Sequence, residues 1–238
     1  MATSKGKLTL IPTSVTEEGE LPPQVKERLE AAWKKGAGIC VEDIKPGRRR
    51  WLKWGLPREA IDDFITYNEH TRSELDESIL KEMGGGRDFY LVSDGGTPAF
   101  CDPGRSLVFH CHQAGLKVAM INCDNSLLPA VALSGFTEGA FHFHGFPPKD
   151  KEERHSFFSS LFNSSETQVF MDTPYRLERV RQEIAKACPS KQRQRLHFVL
   201  MDIERSSEEY LWGSLDNLLK APELGKREFV WVLGPKTL

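Results

Sequence analysis

The sequence predicts an α/β fold built as two units, on three observations. Strand-like apolar runs and helical runs alternate with short connections along the chain, the pattern of parallel sheets covered by helices. Runs such as AGICV and DFYLV read as buried strands. After Gly135 the character changes to a short aromatic run, two prolines and a charge cluster, and a second strand–helix series follows. A length of 238 residues accommodates two small domains, each with its own core. The reading sets them at 1–138 and 139–238.

The elements follow in order. KLTLIP (7–12) alternates and stops at proline, as a strand does. Pro22 and Pro23 precede QVKERLEAAWKK, where Val25, Leu29, Ala32 and Trp33 fall at helical spacing. Proline loses nothing at a helix start, because that N–H has no partner there. AGICVED is a strand closing on two carboxylates. ELDESILKEM is a helix that Gly84, Gly85 and Gly86 stop. DFYLVSD is a strand, GRSLVFHCHQAG a helix ended by Gly115, LKVAMIN a strand and SLLPAVALSG a helix. The second unit reads as strand FHF, strand TQVFMD, helix LERVRQEIAKAC, strand RLHFVLMDI, then EEYLWGSLDNLLK as a strand and a helix capped by Ser214. REFVWVLG is its closing strand.

Bulk properties narrow the function. Hydrophobic residues make up 39% and charged residues 28%, a globular composition rather than a disordered one. A net charge of -2 argues against holding nucleic acid by bulk charge, while leaving room for a local basic patch. The five cysteines are scattered and lack CxxC spacing, as in a reduced, cytoplasmic protein. MATSKGKLTLIPTS is too weakly apolar for a signal peptide, and no run is long enough to span a bilayer. The HCH (110–112) and HFH (142–144) runs lack zinc-ligand spacing, so no metal is expected.

LVSDGGTPAFCDPG (91–104) ends a buried strand in glycine, aspartate and proline. Ligands of open α/β sheets sit beyond the carboxyl ends of strands, and glycine lets backbone approach a ligand closely. Asp102 is read as a helix cap. A tight loop without a ligand and a ligand loop are both consistent with this spacing. There is neither a GxxxxGK[ST] loop nor a GxGxxG after the first strand.

LVSDGGTPAFCDPGRSLV resembles the SDAGTP…SDPG loop of the tetrapyrrole methylase superfamily, the class III S-adenosylmethionine-dependent methyltransferases. The similarity is greatest to the branch containing ribosomal RNA small subunit methyltransferase I, and it runs through nearly the whole chain. LTLIPTS, VEDIKPGRRRWLKWGL, YNEHT, FHFHGFPPKDKEER, FMDTPYRLERV and GKREFVWVLG resemble that branch's segments in order. The resemblance implies two α/β domains with the cofactor S-adenosylmethionine in the cleft between them, and a homodimer. It implies cofactor contacts from Ser93, Asp94, Gly95, Gly96, Thr97 and Pro98, with Pro12 and Thr13 nearby. Ser126, Thr173, Pro174, Tyr175, Met201 and Asp202 are implied from the later segments. Two segments depart from the branch. Its P-G-P-S-A-like loop is here Asn122-Cys123-Asp124-Asn125-Ser126, and its EDTR segment is Glu42-Asp43-Ile44-Lys45.

The implied acceptor is a ribose 2′-hydroxyl of small-subunit ribosomal RNA, whose proton must leave during transfer. Glu42, Asp43, Glu69, His70 and Asp94 are candidates to take it, with Asp94 and Glu69 first. RNA binding calls for cations and stacking surfaces. Arg48, Arg49, Arg50 and Lys53, interleaved with Trp51 and Trp54, supply both in one reading. In the other, the tryptophans are core and the arginines solvated. Lys149, Lys151 and Arg154 form a second cationic candidate. Two alternatives stand beside RNA methylation. One is a small-molecule, tetrapyrrole-like methylase. The other is a non-catalytic member that binds without transferring, suggested by the altered 122–126 loop.

Overall fold

The computed structural model describes residues 4–16, 18–136 and 139–237. The chain divides into two compact units, Met1–Asp124 and Asn125–Leu238. The sequence reading sets the division at 138. In the structure the helix Leu127–Ser134 packs on strands of the second unit.

The first unit carries a five-stranded sheet of β1 (Lys7–Ile11), β2 (Gly38–Val41), β3 (Phe64–Thr66), β4 (Phe89–Val92) and β5 (Lys117–Met120), in the order β3-β2-β4-β1-β5. Every pairing is parallel. β2 and β4 are buried at every position, which is why they read as continuous apolar runs rather than alternating ones. α1 (Pro23–Lys34) starts on Pro23 and turns Val25, Leu29 and Ala32 inward. α2 (Ile44–Lys53) is capped by Asp43, whose Oδ1 accepts from Lys45 N–H at 2.7 Å. Trp51 and Trp54 of this segment join Leu29, Ile39, Tyr90 and Val92 in one core cluster. Their indole N–H groups donate to the carbonyls of Pro57 (2.8 Å) and Gly19 (3.1 Å). Both rings are therefore core, and neither is a stacking surface.

α3 (Arg72–Gly84) and α4 (Arg105–Gln113) pack on each other. Buried Asp76 ties them together. It accepts from Tyr67 Oη at 2.5 Å, and its Oδ2 lies 3.0 Å from His110 Nδ1. Burial, reinforced by that bond, pushes the Tyr67 hydroxyl well above its ordinary pKa. His110 and His112 face different ways, as their spacing requires: His110 is half-exposed on Asp76 and His112 is buried.

The second unit carries a mixed sheet of β6 (Phe141–Phe143), β7 (Thr167–Asp172), β8 (Leu196–Met201), β9 (Glu209–Ser214) and β10 (Phe229–Leu233), in the order β6-β7-β10-β8-β9. β6 and β7 are parallel and the other pairings antiparallel. Its helices are α5 (Leu127–Ser134), α6 (Lys151–Leu161), α7 (Leu177–Ala187) and α8 (Leu215–Leu219). Ser214 caps α8 through a bond from Asn217 N–H, as the sequence indicates. The core gathers Phe158, Phe162, Phe170 and Trp231. His197 is wholly buried, accepts from Trp231 Nε1–H at 3.0 Å, and is driven by burial down to a pKa of about 3.

Arg154 does not form a surface patch. It is 2% exposed and donates to Asp172 Oδ2 (2.6 Å), Glu183 Oε2 (2.7 Å) and the Pro148 carbonyl (3.3 Å). Lys149 and Lys151 remain exposed.

Candidate active site

β4 lies between β2 and β1 in the first sheet, and its chain leaves at Val92 into loop 93–104. Ser93, 5% exposed, fixes the loop from inside: its hydroxyl donates to Asp102 Oδ2 at 2.8 Å and accepts Gly95 N–H at 3.0 Å. Thr13 and Gly96 exchange backbone hydrogen bonds of 2.9 and 3.1 Å, and the Thr13 hydroxyl donates to the Ser93 carbonyl at 3.0 Å. Thr13 is thus bound to this loop, with Pro12 preceding it in the chain. Asp102 does not cap α4. Gly104 holds the cap position, and the Asp102 carboxylate locks Ser93 instead.

The loop's backbone is strained. Gly96 and Gly104 both have φ of +128°, and Ala99 (+64°) and Cys101 (+58°) are also left-handed. Side-chain-bearing residues adopt such angles only where surrounding structure enforces them, as around ligand sites. A Cβ on Gly104 would lie 2.5 Å from Leu91 Cδ2 and 3.3 Å from Ala99 N. Gly104→Ala is expected to destabilise the protein by about 2 kcal/mol or more, as strain and overpacking combine. A urea midpoint shift at unchanged m-value is the check.

Asp94 is half-buried on this loop. Burial first, then the charges of Glu42 and Asp43, push its carboxyl up to about 6; an Asp43 backbone N–H bond and Arg50 oppose the shift. Glu42 is raised by burial and by the charges of Asp102, Asp43 and Glu69. Burial raises Asp102 as well, against its bond from Ser93. Three acidic groups with raised pKa therefore crowd the carboxyl ends of β2 and β4, Asp94 among them at about 6. Glu69 is placed differently. Its side chain is 76% exposed and lies 3.5 Å from His70 Nε2. The YNEHT turn is held instead by Asn68 and Thr71, with the Thr71 hydroxyl donating to the Thr66 carbonyl at 2.9 Å and Asn68 Oδ1 accepting from His70 and Thr71 N–H.

The basic segment divides by helical geometry. Arg48, Arg49 and Lys53 lie on the outer face of α2, whereas Arg50 is 6% exposed. Arg50 Nη1 donates to the carbonyls of Ser14 (3.0 Å) and Thr16 (3.2 Å), and Nη2 lies 3.4 Å from where a Gly95 Cβ would be. Arg50 therefore acts as a brace behind the loop. A small cavity of about 170 Å³ opens among Glu18, Pro46, Arg49, Arg50 and Lys53.

In the second unit, Ser126, Thr173, Pro174 and Asp202 meet around a cavity of about 300 Å³ walled by Phe146 and Leu200, among others. The Asp202 carboxylate is already committed to Arg227 Nε (2.9 Å), Ser207 Oγ (3.1 Å) and Glu228 N–H (3.2 Å), and its own N–H donates to the Glu228 carbonyl. It serves as wall rather than as a spare acceptor. Met201 turns into the core at 0% exposure, away from this cavity. Tyr175 stands outside it at 76% exposure, with Lys226 Nζ 3.9 Å from its ring centroid. Phe146, Asp172, Phe229 and Val230 also line the cavity and are not singled out by sequence. Their signal is positional: each sits at or just beyond a strand end.

Within the altered 122–126 loop, Asn122 takes φ of +68° and its Nδ2 donates to the Pro12 carbonyl at 3.3 Å. Asparagine tolerates the left-handed region better than most residues, so a turn of that kind survives without glycine.

No protein-family model matches this chain. Ribosomal RNA small subunit methyltransferase I of Leptospira borgpetersenii serovar Hardjo-bovis is 33% identical over 218 residues, covering 91% of this chain and 82% of that protein. The Xylella fastidiosa protein of the same name is 27% identical over 213 residues, with 90% and 74% covered. The Neisseria meningitidis serogroup B protein is 26% identical over 194 residues; 82% of this chain is aligned, but only 64% of that relative. The chain belongs to the ribosomal RNA small subunit methyltransferase I family. Among solved structures, the methyltransferase CobJ matches over 97% of this chain and 94% of its own at 19% identity, with a TM-score of 0.37, too distant to add to the fold described above.

Among the described residues, no helix is long and apolar enough to cross a membrane.

Proposed function

We propose that this chain is an S-adenosylmethionine-dependent methyltransferase acting on a ribose 2′-hydroxyl of small-subunit ribosomal RNA, and that it works in the cytoplasm as a homodimer. The observation that carries the catalytic half is Asp94: a half-buried carboxyl with a pKa of about 6 on a strained glycine loop at the end of a parallel strand. The substrate half rests on the names of the relatives.

The residues present fit the cofactor. Around Gly95 a Cβ would meet Arg50 Nη2 at 3.4 Å, Val15 Cα at 3.6 Å and Ser14 O at 3.7 Å, ordinary packing distances, so the loop is backed by its own unit on that side. The second unit's cavity of about 300 Å³ is at the lower end of the range for small-molecule sites and is mostly apolar, with Ser126 and Thr173 hydroxyls at its wall. In the first unit residues 93–98 with Pro12 and Thr13 are the candidates to hold it, and in the second Ser126, Thr173 and Pro174 are. The sulfonium supplies an electrophilic methyl group and its own driving force. The chain's task is then to place the acceptor oxygen in line and receive its proton. Asp94 can take that proton on its carboxylate once the pH exceeds its pKa. Arg48, Arg49, Lys53 and Lys149 are exposed cations that would face RNA phosphates.

Two measurements test this reading. Calorimetry with S-adenosylmethionine and S-adenosylhomocysteine should show binding, and at ~100 times the dissociation constant the ligand should add about 2.7 kcal/mol of stability. Labelled methyl transfer to unmodified small ribosomal subunits should place the label on ribose. Cofactor binding with transfer to a small molecule and to no RNA would overturn the substrate. Absence of cofactor binding at millimolar concentration would favour the non-catalytic reading.

A further inference from the structure

The first unit carries a second cavity, of about 410 Å³, at the opposite end of its sheet from loop 93–104. It lies where the chain enters β2 and β4, bordered by Gly36 and Ala37 on one side and 86–88 on the other, with α1 as its third wall. Its polar lining is Arg28, Lys35, Arg87, Asp88 and Tyr90.

Three of these side chains stand out. Tyr90 is 6% exposed and its ring belongs to the core cluster, yet its hydroxyl has no hydrogen-bond partner among the described residues. The Tyr90 side chain borders a cavity large enough for a small molecule. Arg28 and Lys35 make no hydrogen bond or ion pair with any described residue. They lie seven positions apart, two helical turns, and so stand on one face of the α1 segment.

Arg87 is partly committed, with Nε donating to the Gly36 carbonyl (2.9 Å) and Nη1 to Glu82 (2.6 Å). The lining carboxylate, Asp88, is engaged by Lys7 N–H at 2.8 Å. Cations outnumber carboxylates at the lining. The carboxyl end of α1 favours positive charge, which is reason enough for Lys35 alone. It does not account for Arg28 two turns earlier, on the same groove as Arg87 and Tyr90.

We propose that this groove binds a phosphate group. Arg28 and Lys35 would pair with its charge, and Tyr90 Oη–H would donate to one of its oxygens. The phosphate belongs either to an RNA backbone or to a free nucleotide. The site is separate from the proposed methyl-transfer site and stands without it.

The test titrates inorganic phosphate, adenosine 5′-monophosphate and a short oligouridylate into the full chain, followed by NMR shifts of backbone amides at 28–37 and 86–90. Binding is expected from at least one probe, with shifts confined to those segments. The Arg28→Ala/Lys35→Ala double variant should weaken it roughly tenfold or more, and Tyr90→Phe roughly fivefold. Response to oligouridylate alone, falling steeply with salt, assigns the phosphate to RNA; response to the monophosphate assigns it to a free nucleotide. Because Arg28 and Lys35 are exposed, the double variant is expected to fold, and its melting temperature verifies that. Absence of shifts from all three probes, or binding unchanged in the double variant, overturns the proposal. Methyl transfer measured on the same samples separates the two sites. Transfer lost with phosphate binding intact counts against the proposed function alone, and the reverse counts against this groove alone.

Discussion

Replacing Asp94 with asparagine is expected to lower methyl transfer by ~10²–10⁴-fold, the usual contribution of a positioned general base. Affinity for S-adenosylhomocysteine should change little, because the amide keeps the volume and the hydrogen-bond acceptor of the carboxyl. In the unsubstituted protein the rate should climb through a pH near 6 as Asp94 loses its proton, and the climb should vanish in Asp94→Asn. A stability signature accompanies this. The folded-state pKa of about 6 lies above the ordinary value of 3.8, so the folded protein binds that proton more tightly than the unfolded chain does. The resulting stabilisation is complete below the ordinary value and is lost as pH rises through 6. Rate and stability thus respond oppositely across one window. A Glu69→Gln variant, altered at an exposed carboxylate, should retain most of the activity. Equal losses in the two variants would remove Asp94 from its role.

The largest stability effect is expected at Arg154. Its guanidinium is buried with Asp172 at 2.6 Å and Glu183 at 2.7 Å, and it lies over the Phe158 ring at 5.1 Å. Among the described residues, Arg154→Ala leaves the buried Asp172 carboxylate with a 3.4 Å contact from Arg176 as its one remaining cationic partner. Breaking a buried pair from one side costs about 3–5 kcal/mol, because the remaining charge cannot be solvated. Asp172 also accepts Thr173 N–H at 2.7 Å and lines the second unit's cavity, so the damage should reach ligand binding as well. Denaturant unfolding checks the size. Asp172→Asn in the Arg154→Ala background should recover part of the loss, since a neutral amide is cheaper to leave unpaired than a carboxylate. If the double variant is no more stable than Arg154→Ala, the cost lies in lost packing rather than in stranded charge.

These two residues also mark how far the sequence could be read. The alternation of strands and helices was legible because buried strands leave short continuous apolar runs between segments of helical period. Loop 93–104 was legible because its glycines and prolines are unusual immediately after such a run. The short β3 escaped notice: three half-buried residues carry no period. Arg50 and Arg154 read as ligand-facing cations, yet both are internal braces. An arginine's role depends on which carbonyls and carboxylates surround it, and those lie from 6 to 36 residues away along the chain. Trp51 and Trp54 were ambiguous for the same reason. Tyr90 gave no signal at all, because only the fold shows that its hydroxyl lacks an acceptor.

The two strand orders carry a consequence for how the protein is made. β1, the first strand synthesised, sits between β4 and β5, and β10, the last, sits between β7 and β8. Neither sheet can be assembled by laying each new strand beside its predecessor. β1 must wait, with both edges unpaired, until Val92 has left the ribosome and β4 can enter between it and β2, and β7 and β8 stay unbridged until Leu233 has. Such long-range closures slow folding and expose apolar edges meanwhile. The nascent chain therefore has two intervals of vulnerability, each ended by a single strand sliding into the middle of its sheet.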